Sequence, residues 1–524
     1  MTRKTLTAAA AAIAVATVTT VGLVASLPTV AAGAPAVPVR SQQADPGAGH
    51  PDIGVFFRLL AQDDDESEAA LEEIGARWRH GYAGMIWDMV RFLVPPRRMA
   101  FPPPNTPSTA IDPEAANAGV GALAPQSPLA PSEPEHPSTR VWRRLMEFLE
   151  DRTGQRFRGD IRRVHQWIWD QPYDPHPDYA LFKGAWYSEI DPRFGEFFPR
   201  GTPSTIRLDE IDWGGVAVNG IPPLEYPEHV AATDDAAEYL DDDNIVFGIA
   251  AGGESRAYPK RILAWHEMAL DRVGGLELTI VYCTLCGTVI PYESVVEGRH
   301  IRFGTSGLLY RSNKLMFDHG TKSLWNTFEG VPVVGPLVGS GIRLTHRSVV
   351  TTTWGEWRRM HPETTVLTLD TGHERDYGEG VAYRAYFRSD DLMFDVPELD
   401  DRLDNKDEVL VMLLEDAAGD RRPLAISAEF LEDHRLHIEE HAGRRLLVVT
   451  TREGANRVYD AGSITFDRLE SDLEVVDRDG GRWQVTEEAL VHMADPARRA
   501  PRVAAQRAFW FGWYSQFPET LLVH

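Results

Sequence analysis

The spacing of apolar residues divides the chain into helical, unpatterned and strand-like stretches. Over residues 51–93 apolar positions recur every three or four residues, which predicts amphipathic helices that end at Pro95-Pro96. Residues 99–138 are rich in Pro, Ala and Ser without periodicity, which indicates an extended linker. Helical spacing returns over residues 139–205, with helices predicted near Asp160–Trp169 and Tyr179–Phe198.

From about Ile206 short runs of Val, Ile, Leu and Tyr alternate with Gly and Pro turns, which is typical of strands. Two helices are predicted to interrupt them, over Lys260–Asp271 and Thr353–Met360. The predicted strands of the first part are Ile245–Ile249, Leu276–Tyr282, Val289–Tyr292, Ile301–Gly304, Lys314–Asp318 and Ile342–Thr345. The pattern therefore predicts an α+β fold, a mostly antiparallel β-rich domain preceded by a small helical region.

The β-rich part repeats itself at a spacing near 168 residues, since Leu276–Val281 is echoed by Arg444–Val449. The Trp-x-x-Trp stretch Thr353–Thr364 is echoed by Phe509–Thr520, and both echoes end in Pro-Glu-Thr. Two echoes in the same order predict a duplicated domain, with one copy over residues 206–372 and a degenerate copy over 373–524. The second copy either shapes a site in the first or, as we favour, completes the core.

The first residues predict export. Arg3 and Lys4 precede an apolar run from Leu6 to Leu27 and then a cluster of small residues, which is the layout of a secretory signal over residues 1–34. Residues 35–98 then form a leader and the first helical segment. Since no other stretch approaches the ~20 apolar residues of a membrane span, we expect an exported protein, secreted, periplasmic or at the cell surface, without a stable span after signal cleavage.

Charge narrows the range of partners. The chain has a net charge of −25 and no large basic patch, so it repels the phosphate backbone of nucleic acids. We therefore expect no nucleic acid, and an unknown small molecule or protein as the partner.

The two cysteines, Cys283 and Cys286, lie three residues apart, directly after a predicted strand. Such a pair can form a disulfide, bind a metal ion or act as a dithiol redox pair. The strand predicted after Gly287 removes the helix N-terminus that lowers the thiol pKa in thioredoxin-like proteins. Without a second CxxC, a closed four-ligand site would need scattered His, so a metal site would be open, with two Cys and one or two His, which suits copper(I) or catalytic zinc. On the repeat register these cysteines fall on Thr451 and Gly454, so only the first copy carries the pair.

His266 is the best additional metal ligand, because it lies on the apolar stripe of the predicted helix that leads into the cysteine strand. It fits a buried histidine bonded to backbone equally well. Its neighbour Glu267 is a candidate general base or a support for a ligand, and otherwise a solvated charge.

Three further residues are candidates for binding. Ser306, in the Gly-rich stretch Phe303–Gly307, would help bind an anionic cofactor, although a hairpin turn explains the stretch as well. Asp318 would orient a ligand or bind a cofactor, and His319 would be a further metal ligand. Both also fit an ordinary turn.

Several motifs in one order resemble a known family. They are Arg256–Pro259, Trp265–Glu267, Tyr282–Gly287, Phe303–Gly307, Met316–Asp318 with Ser323–Trp325, and Thr352–Trp354. Over about residues 240–370 the chain resembles the bacterial and archaeal "domain of unknown function 3179" family, and its C-terminal stretch Phe509–Trp513 is similar to the second copy of longer members. It departs at Thr284, where the family usually has Pro, and at Leu270-Asp271, where the family has Asn-Asp. The resemblance implies that His266, Cys283 and Cys286 belong to the motif set, and it implies no activity.

Three functions remain open on the sequence. The first is an exported metal- or thiol-dependent oxidoreductase of unknown substrate, with Cys283, Cys286, His266 and Glu267 as catalytic residues. The second is a non-catalytic metal-binding module, with Cys283, Cys286, His266 and His319 as ligands. The third is a binding scaffold with a structural disulfide. A bound metal would separate the first two from the third.

Overall fold

The computed structural model describes residues 49–61, 63–93 and 137–524. The predicted signal peptide (1–34) and nearly all of the predicted linker (99–138) lie outside these residues. Over the described ranges, no helix is long and apolar enough to cross a membrane.

The N-terminal part is helical, and one apolar helix forms its centre. The helices are α1 (Ile53–Arg58), α2 (Asp64–Ala76), α3 (Ala83–Leu93), α4 (Pro137–Thr153), α5 (Ile161–Trp169) and α6 (Tyr179–Tyr187). Short 3-10 helices cover His80–Tyr82, Pro192–Glu196, Leu208–Glu210 and Asp235–Ala237. Helix α3 contacts α4, α5 and α6 because its side chains are apolar nearly all round and therefore buried.

A buried charge inside these helices is fully paired. The carboxylate of Asp88 accepts hydrogen bonds from Lys183 Nζ at 2.8 and 2.9 Å, from the Tyr179 hydroxyl at 2.8 Å and from the Tyr187 hydroxyl at 2.9 Å. Arg91 of α3 donates to Asp212 at 2.6 Å, which joins the helices to the first strand. With these partners the buried charges have a structural role.

From residue 211 onward the chain is rich in strands. The first part contains β1 (Ile211–Trp213), β2 (Leu224–Glu225), β3 (His229–Ala231), β4 (Ile245–Ala251), β5 (Glu254–Pro259), β6 (Met268–Val273), β7 (Leu276–Cys283), β8 (Thr288–Glu293), β9 (Val295–Val296), β10 (Arg299–His300), β11 (Phe303–Tyr310), β12 (Asn313–Asp318), β13 (Leu324–Asn326), β14 (Val331–Val334), β15 (Val350–Thr353) and β16 (Thr365–Leu367). Helices α7 (Lys260–His266) and α8 (Trp354–Met360) lie between them. We call residues 245–367 the first β region.

A connecting segment, residues 368–407, contains the short helix α9 (Arg384–Phe387). The second β region, residues 408–523, follows it. Its strands are β17 (Glu408–Glu415), β18 (Arg421–Ser427), β19 (Leu436–His441), β20 (Arg444–Thr450), β21 (Asn456–Asp460), β22 (Phe466–Ser471), β23 (Glu474–Asp477), β24 (Arg482–Val485), β25 (Ala489–His492), β26 (Arg499–Val503), β27 (Gln506–Phe509) and β28 (Leu521–Val523). Its helices are α10 (Ala428–Asp433) and α11 (Trp510–Tyr514).

The sheets are mostly antiparallel. In the described chain their strand orders are β1-β11-β12-β13-β14, β9-β10, β15-β4-β5-β16-β3, β2-β6-β7-β8, β27-β17-β18-β28 and β19-β20-β21-β26-β25-β24-β23-β22. In the first β region β15 is antiparallel to β4 and β16 is parallel to β5. In the second, β27 is antiparallel to β17 and β28 is parallel to β18. The predicted α+β class is confirmed in this coarse form, helices first and a large antiparallel β-rich part after them.

The predicted helices agree with the fold where their ends were predicted correctly. The helices expected near Asp160 and Thr353 are confirmed, since the side chains of both residues cap the first turns of α5 and α8. The helix predicted over Lys260–Asp271 is wrong in its second half, because Glu267 adopts a left-handed conformation with φ of 55° and ends α7 at His266. Residues Met268–Val273 then form β6. The strand predicted over Ile342–Thr345 is irregular chain.

Candidate functional site

The two cysteines lie in the tight turn between β7 and β8. Cys283 is the last residue of β7 and pairs with Thr288, the first residue of β8. Gly287 closes the turn with a φ of 60°, a conformation that glycine adopts without a steric cost. The Cys283 and Cys286 Sγ atoms are 2.9 Å apart, and both side chains are buried. The turn therefore presents two thiols side by side in the core.

The two thiols differ in acidity. Burial opposes ionisation of Cys283, but hydrogen bonds from Cys286 Sγ and from the backbone amides of Lys314 and Cys286 outweigh it and hold the pKa of Cys283 below its ordinary value. Burial, together with the hydrogen bond and charge of Cys283, raises the pKa of Cys286 well above the ordinary value. Cys283 is therefore the more acidic thiol of the pair.

A buried ion pair lies beside Cys283. Lys314 Nζ is 3.1 Å from Glu267 Oε2 and donates to the Glu267 carbonyl oxygen at 3.0 Å. Burial lowers the pKa of Lys314, although the charges of Glu267 and Cys283 favour its protonated form. The Tyr383 hydroxyl donates to Glu267 Oε1 at 3.3 Å. An ammonium near the thiolate favours the charged form of Cys283, and the Glu267 carboxylate opposes it.

The second β region covers the turn. The Phe509 N–H donates to the Cys286 carbonyl oxygen at 2.7 Å. A Cβ atom on Gly512 of α11 would lie 3.0 Å from Cys286 Cβ, and one on Gly287 would lie 2.8 Å from the Phe509 ring. The Phe509 ring leaves no space for a side chain at position 287, and a Cβ atom at position 512 would require the Cys286 side chain to shift slightly. The cysteines therefore share one apolar core with α11.

The connecting segment closes the other side through three tyrosines. The Tyr386 hydroxyl donates to the Leu285 carbonyl oxygen at 2.8 Å, inside the cysteine turn. Tyr383 bonds Glu267, as described, and Tyr377 bonds His266 at 2.6 Å. Lys406 Nζ holds the segment, since it donates to the carbonyl oxygens of Tyr386 at 2.6 Å and of Asp391 at 2.8 Å. A segment with little regular structure is thus fixed at the site by its aromatic side chains.

The hairpin between β11 and β12 also reaches the site. The Ser312 carbonyl oxygen is 3.6 Å from Cys286 Sγ. Arg311 and Ser312 both have positive φ, 49° and 61°, which costs free energy for residues other than glycine. Arg311 holds this conformation through Glu210 at 2.7 Å and the Ser515 carbonyl oxygen at 2.8 Å. The hairpin is therefore clamped in a strained form against the thiols.

Three hydroxyls around the turn lack a hydrogen-bond partner within the described residues. They belong to Thr284, Thr288 and Ser312, and each of these residues is no more than 2% exposed. A buried hydroxyl without a partner is unfavourable by roughly 1–3 kcal/mol. Thr288 lies directly across the strand pair from Cys283, so its side chain lies on the same face of the sheet. The surroundings of the thiols are therefore polar and incompletely satisfied.

His266 lies elsewhere in the hydrogen-bond network. Its Nδ1 is 2.9 Å from the Pro222 carbonyl oxygen, which can only accept, so Nδ1 carries the proton and Nε2 accepts from the Tyr377 hydroxyl at 2.6 Å. Burial lowers the pKa of His266 to about 4. Both ring nitrogens are engaged away from the thiols, and among the described residues no group of three or more His, Cys, Asp or Glu is placed to hold a metal ion. The metal-ligand roles of Cys283, Cys286, His266 and His319 stay predictions.

The other candidate residues have local partners. Ser306 donates to the Leu315 carbonyl oxygen at 2.5 Å and accepts from the Leu308 amide at 3.0 Å, within an irregularity of β11. Asp318 accepts from the Thr321 hydroxyl at 2.7 Å and from Trp325 Nε1 at 3.1 Å. These bonds tie turns of the sheet, and a cofactor role for either residue stays a prediction.

His319 lies over the Phe317 ring and lines a surface groove of about 440 Å³ together with His373. Pro222 and Thr371 also line this groove. His266 links them, because it bonds Pro222 directly and Thr371 through the Tyr377 hydroxyl, with 2.6 Å between the two oxygens. The predicted site thus divides into a thiol part and a groove part, with the His266–Glu267 pair between them.

Sequence reasoning missed Lys314, Ser312 and the tyrosines of the connecting segment. For Lys314 the one available signal was a lysine within a predicted strand, because lysine is seldom fully buried. Tyr383 and Tyr386 lie about a hundred residues from the groups they bond, in a stretch without periodicity, so no local pattern marks them.

The comparisons with known proteins give one match. A family model described as "Protein of unknown function (DUF3179)" matches residues 218–520, which is more than half of the chain and includes the first β region and nearly all of the second. No curated protein and no solved structure matches the chain. The cysteine turn, His266, Lys314 and α11 all lie within the matched residues. The chain therefore belongs to the DUF3179 family.

Proposed function

We propose that this protein is an exported, thiol-dependent oxidoreductase whose redox centre is the Cys283–Cys286 pair. The observation that carries the proposal is the pairing of two unequal thiols, 2.9 Å apart, in one turn. A dithiol redox centre needs a thiolate that attacks and a second thiol that resolves the intermediate. Cys283 fits the first role and Cys286 the second.

The groups around the pair support this assignment. The Lys314 ammonium lies close enough to favour a thiolate at Cys283, and it can also give a proton to a leaving group. Glu267 and Tyr383 keep Lys314 in place by the hydrogen bonds already described. In this proposal Cys283 is the nucleophile, Cys286 the resolving thiol, and Glu267 a positioning residue rather than the general base.

Export is part of the proposal and rests on the N-terminal sequence pattern alone. An extracytoplasmic location would place the thiol pair in an oxidising environment, where dithiol–disulfide chemistry is common. The substrate would then be a small molecule that reaches the buried turn.

We also propose that the β-rich part arose by duplication, near residues 206–372 and 373–524. Both β regions share an order of elements: hairpin, helix, three strands, further strands, edge strand, Trp helix and a closing parallel strand. Trp357 Nε1 donates to Thr364 Oγ1 at 2.9 Å, and Trp513 Nε1 donates to Thr520 Oγ1 at 2.9 Å. Such side-chain agreement supports a common origin better than the order of elements alone.

A second pair of corresponding contacts supports the duplication. Asp318 accepts from Trp325 Nε1, and that ring packs on Phe303. In the second β region Asp477 accepts from Trp483 Nε1 at 2.9 Å, and that ring packs on Phe466. Under this proposal Asp318 is part of the repeated framework, since its counterpart lies in a region without cysteines.

A structural disulfide in a binding scaffold is the second candidate. The burial of both thiols beneath Phe509 and Gly512 favours it, because buried cysteines are usually unreactive. The two candidates differ in what reduction does to the native protein.

The experiment is a redox titration of the purified full chain in buffered thiol–disulfide mixtures, with free thiols counted after native and denaturing alkylation. A redox centre gives a reversible couple, with Cys283 alkylated before Cys286 in the native state. Cys283→Ser and Cys286→Ser each remove the couple. A disulfide that resists reduction until the protein unfolds, or native thiols that never react, would contradict the proposed function and favour the scaffold.

A further inference from the structure

We propose that the thiol pair reduces small hydroperoxides, hydrogen peroxide above all, with Cys283 attacking the peroxide and Cys286 resolving the product. This inference rests on the proposed thiol redox function and adds its substrate class. Three observations carry it: the enclosure of the turn, the unpartnered hydroxyls beside the thiols, and the ammonium of Lys314.

Enclosure limits the size of a substrate. The turn is covered by Phe509 and Gly512 on one side and by Tyr386 on the other. Attack on a protein disulfide requires the partner's sulfur atoms to reach Cys283 Sγ in line, and neither thiol is more than 1% exposed. Local fluctuations of a packed core admit water-sized molecules far more readily than larger ones. A small neutral oxidant therefore fits this site, and a folded protein partner does not.

The polarity of the site fits the same class of molecule. The hydroxyls of Thr284, Thr288 and Ser312 are buried at the turn and have no partner within the part of the chain described. Hydrogen peroxide has two donor hydrogens and two acceptor oxygens, so it can bond hydroxyls that need either kind of partner. Thr288 is the best placed of the three, because it faces Cys283 across the strand pair. A purely apolar oxidant would leave these hydroxyls unsatisfied.

Lys314 completes the first step. The Cys283 thiolate attacks one peroxide oxygen, so that an S–O bond forms and the O–O bond breaks. The leaving hydroxide takes a proton from the Lys314 ammonium and departs as water. Burial of this ammonium lowers its pKa, which makes it the better acid. Cys283 is then a sulfenic acid.

Cys286 completes the second step. Its thiol attacks the Cys283 sulfur, so that the S–S bond forms and the S–O bond breaks, and the thiol proton leaves with the hydroxyl group as a second water. Two thiols and one peroxide have then given one disulfide and two waters. A small thiol reductant supplies the two electrons that return the pair to the dithiol form.

The test begins with the reduced full chain mixed with hydrogen peroxide, while loss of Cys283 thiol is followed in time. We expect Cys283 to react much faster than the thiol of a small cysteine derivative at the same pH. We also expect hydrogen peroxide to react at least about tenfold faster than cumene hydroperoxide, a bulky peroxide that the covered turn would exclude. The Cys286→Ser variant should stop at the sulfenic acid, which dimedone traps and intact mass shows as one added oxygen atom.

Thr288→Val and Thr288→Ser form the matched pair for the polar part of the argument. We expect the valine variant to react about tenfold more slowly, because one hydrogen bond to the peroxide is lost, and the serine variant to stay within about twofold of the native protein. The alkylation rate of Cys283 at each pH shows whether the thiolate itself is unchanged. Equal slowing by both substitutions would mean a packing effect and would count against the proposed binding mode.

The outcomes separate this inference from the function on which it rests. A reversible dithiol couple whose Cys283 reacts with peroxide no faster than a small thiol overturns the peroxide inference alone. Preference for cumene hydroperoxide over hydrogen peroxide does the same, because it removes the enclosure argument. A thiol pair that shows no reversible couple overturns both.

Discussion

The turn that carries the cysteines joins β7 to β8, and under the proposed duplication it corresponds to the turn between β20 and β21 in the second β region. The first turn packs on α11, with the Phe509 amide bonded to Cys286. The second packs on the first region's Trp helix: Ala455 lies in the core with Trp354 and Trp357, and Glu453 pairs with Arg359. Each turn therefore rests on the Trp helix of the other region.

The difference between the turns lies in how each is closed. In the second, the Ala455 amide donates to Thr451 Oγ1 at 3.0 Å and the Thr451 amide to the Ala455 carbonyl oxygen at 2.9 Å. One bond to an ordinary hydroxyl and one backbone–backbone bond close it. A turn of this kind therefore closes without sulfur atoms, which supports the redox role proposed for the thiols of the first turn.

Replacing a thiol should have the largest effect on the difference between the two turns. We expect Cys283→Ala to abolish the redox couple, while the free energy of unfolding of the reduced protein falls by only about 1–2 kcal/mol, because a small side chain is lost from the core. Thr451→Ala is the matched control in the second turn, with a similar loss of stability and an intact couple. Urea unfolding and thiol titration measure both effects. A loss of folding in Cys283→Ala alone would return the thiols to a structural role.

Lys314→Met should give the largest change in stability. It leaves the buried Glu267 carboxylate without its cation, which is unfavourable by about 3–5 kcal/mol. It should also raise the pKa of Cys283, measured as the pH dependence of alkylation. The double variant Lys314→Met with Glu267→Gln should recover much of the stability but not the low thiol pKa. Full recovery of both would show that Lys314 acts on stability alone.

Acid should distinguish the histidines at the ends of α7 and α10. Burial lowers the pKa of His266 to about 4, whereas the His434 side chain is exposed. Below pH 6.5 the unfolded state binds a proton at His266, whereas the folded state keeps this side chain neutral until about pH 4. The free energy of unfolding therefore falls by up to about 3 kcal/mol as the pH drops from about 6.5 to about 4. Urea unfolding at several pH values should show a shallower slope for His266→Gln than for the native protein, and His434→Gln, at an exposed position, is the control variant. Some acid sensitivity persists in the first variant, because burial also lowers the pKa of His346 to about 4.

Gly512→Ala should have the smallest effect. Its new Cβ would lie 3.0 Å from Cys286 Cβ, and we expect a loss of about 1 kcal/mol, since overpacking outweighs the gain in helix propensity. Gly355→Ala in the other Trp helix is the control, because its Cβ would press on Asp242 instead. Only the first variant should change the alkylation rate of the thiols. Equal thiol reactivity in the two variants would show that α11 does not constrain the cysteine turn.

Local signals in the sequence predicted part of this fold well. Helices with a capping side chain, such as α5 after Asp160, were placed correctly because the cap and the apolar stripe agree. The helix over Lys260–Asp271 was extended too far, because the apolar residues after Glu267 fit a helix as well as a buried strand. What ends it is the backbone conformation of one glutamate, and nothing in the local pattern of side chains predicts that.

The candidate site was predictable only where its residues were rare. Only two cysteines occur in 524 residues, so the pair was an evident candidate, and the strand and turn that carry it were predicted with it. His266 was named from its position on a helix, which the structure confirms, but its bonds to Pro222 and Tyr377 depend on loops far away in the chain. Lys314 lies beside the thiols because of the way the sheets pack, and the pattern of residues along the chain does not predict that packing.

The bond between Phe509 and Cys286 also sets an order in time. Residue 286 leaves the ribosome more than two hundred residues before residue 509, a delay of about 10–45 s at 5–20 residues per second. Throughout that interval the cysteines belong to an unfinished domain, without the helix that covers them or the tyrosines that hold the turn. The nascent chain therefore passes through a period in which both thiols lack their cover, and the synthesis of Phe509 and the residues of α11 ends that period.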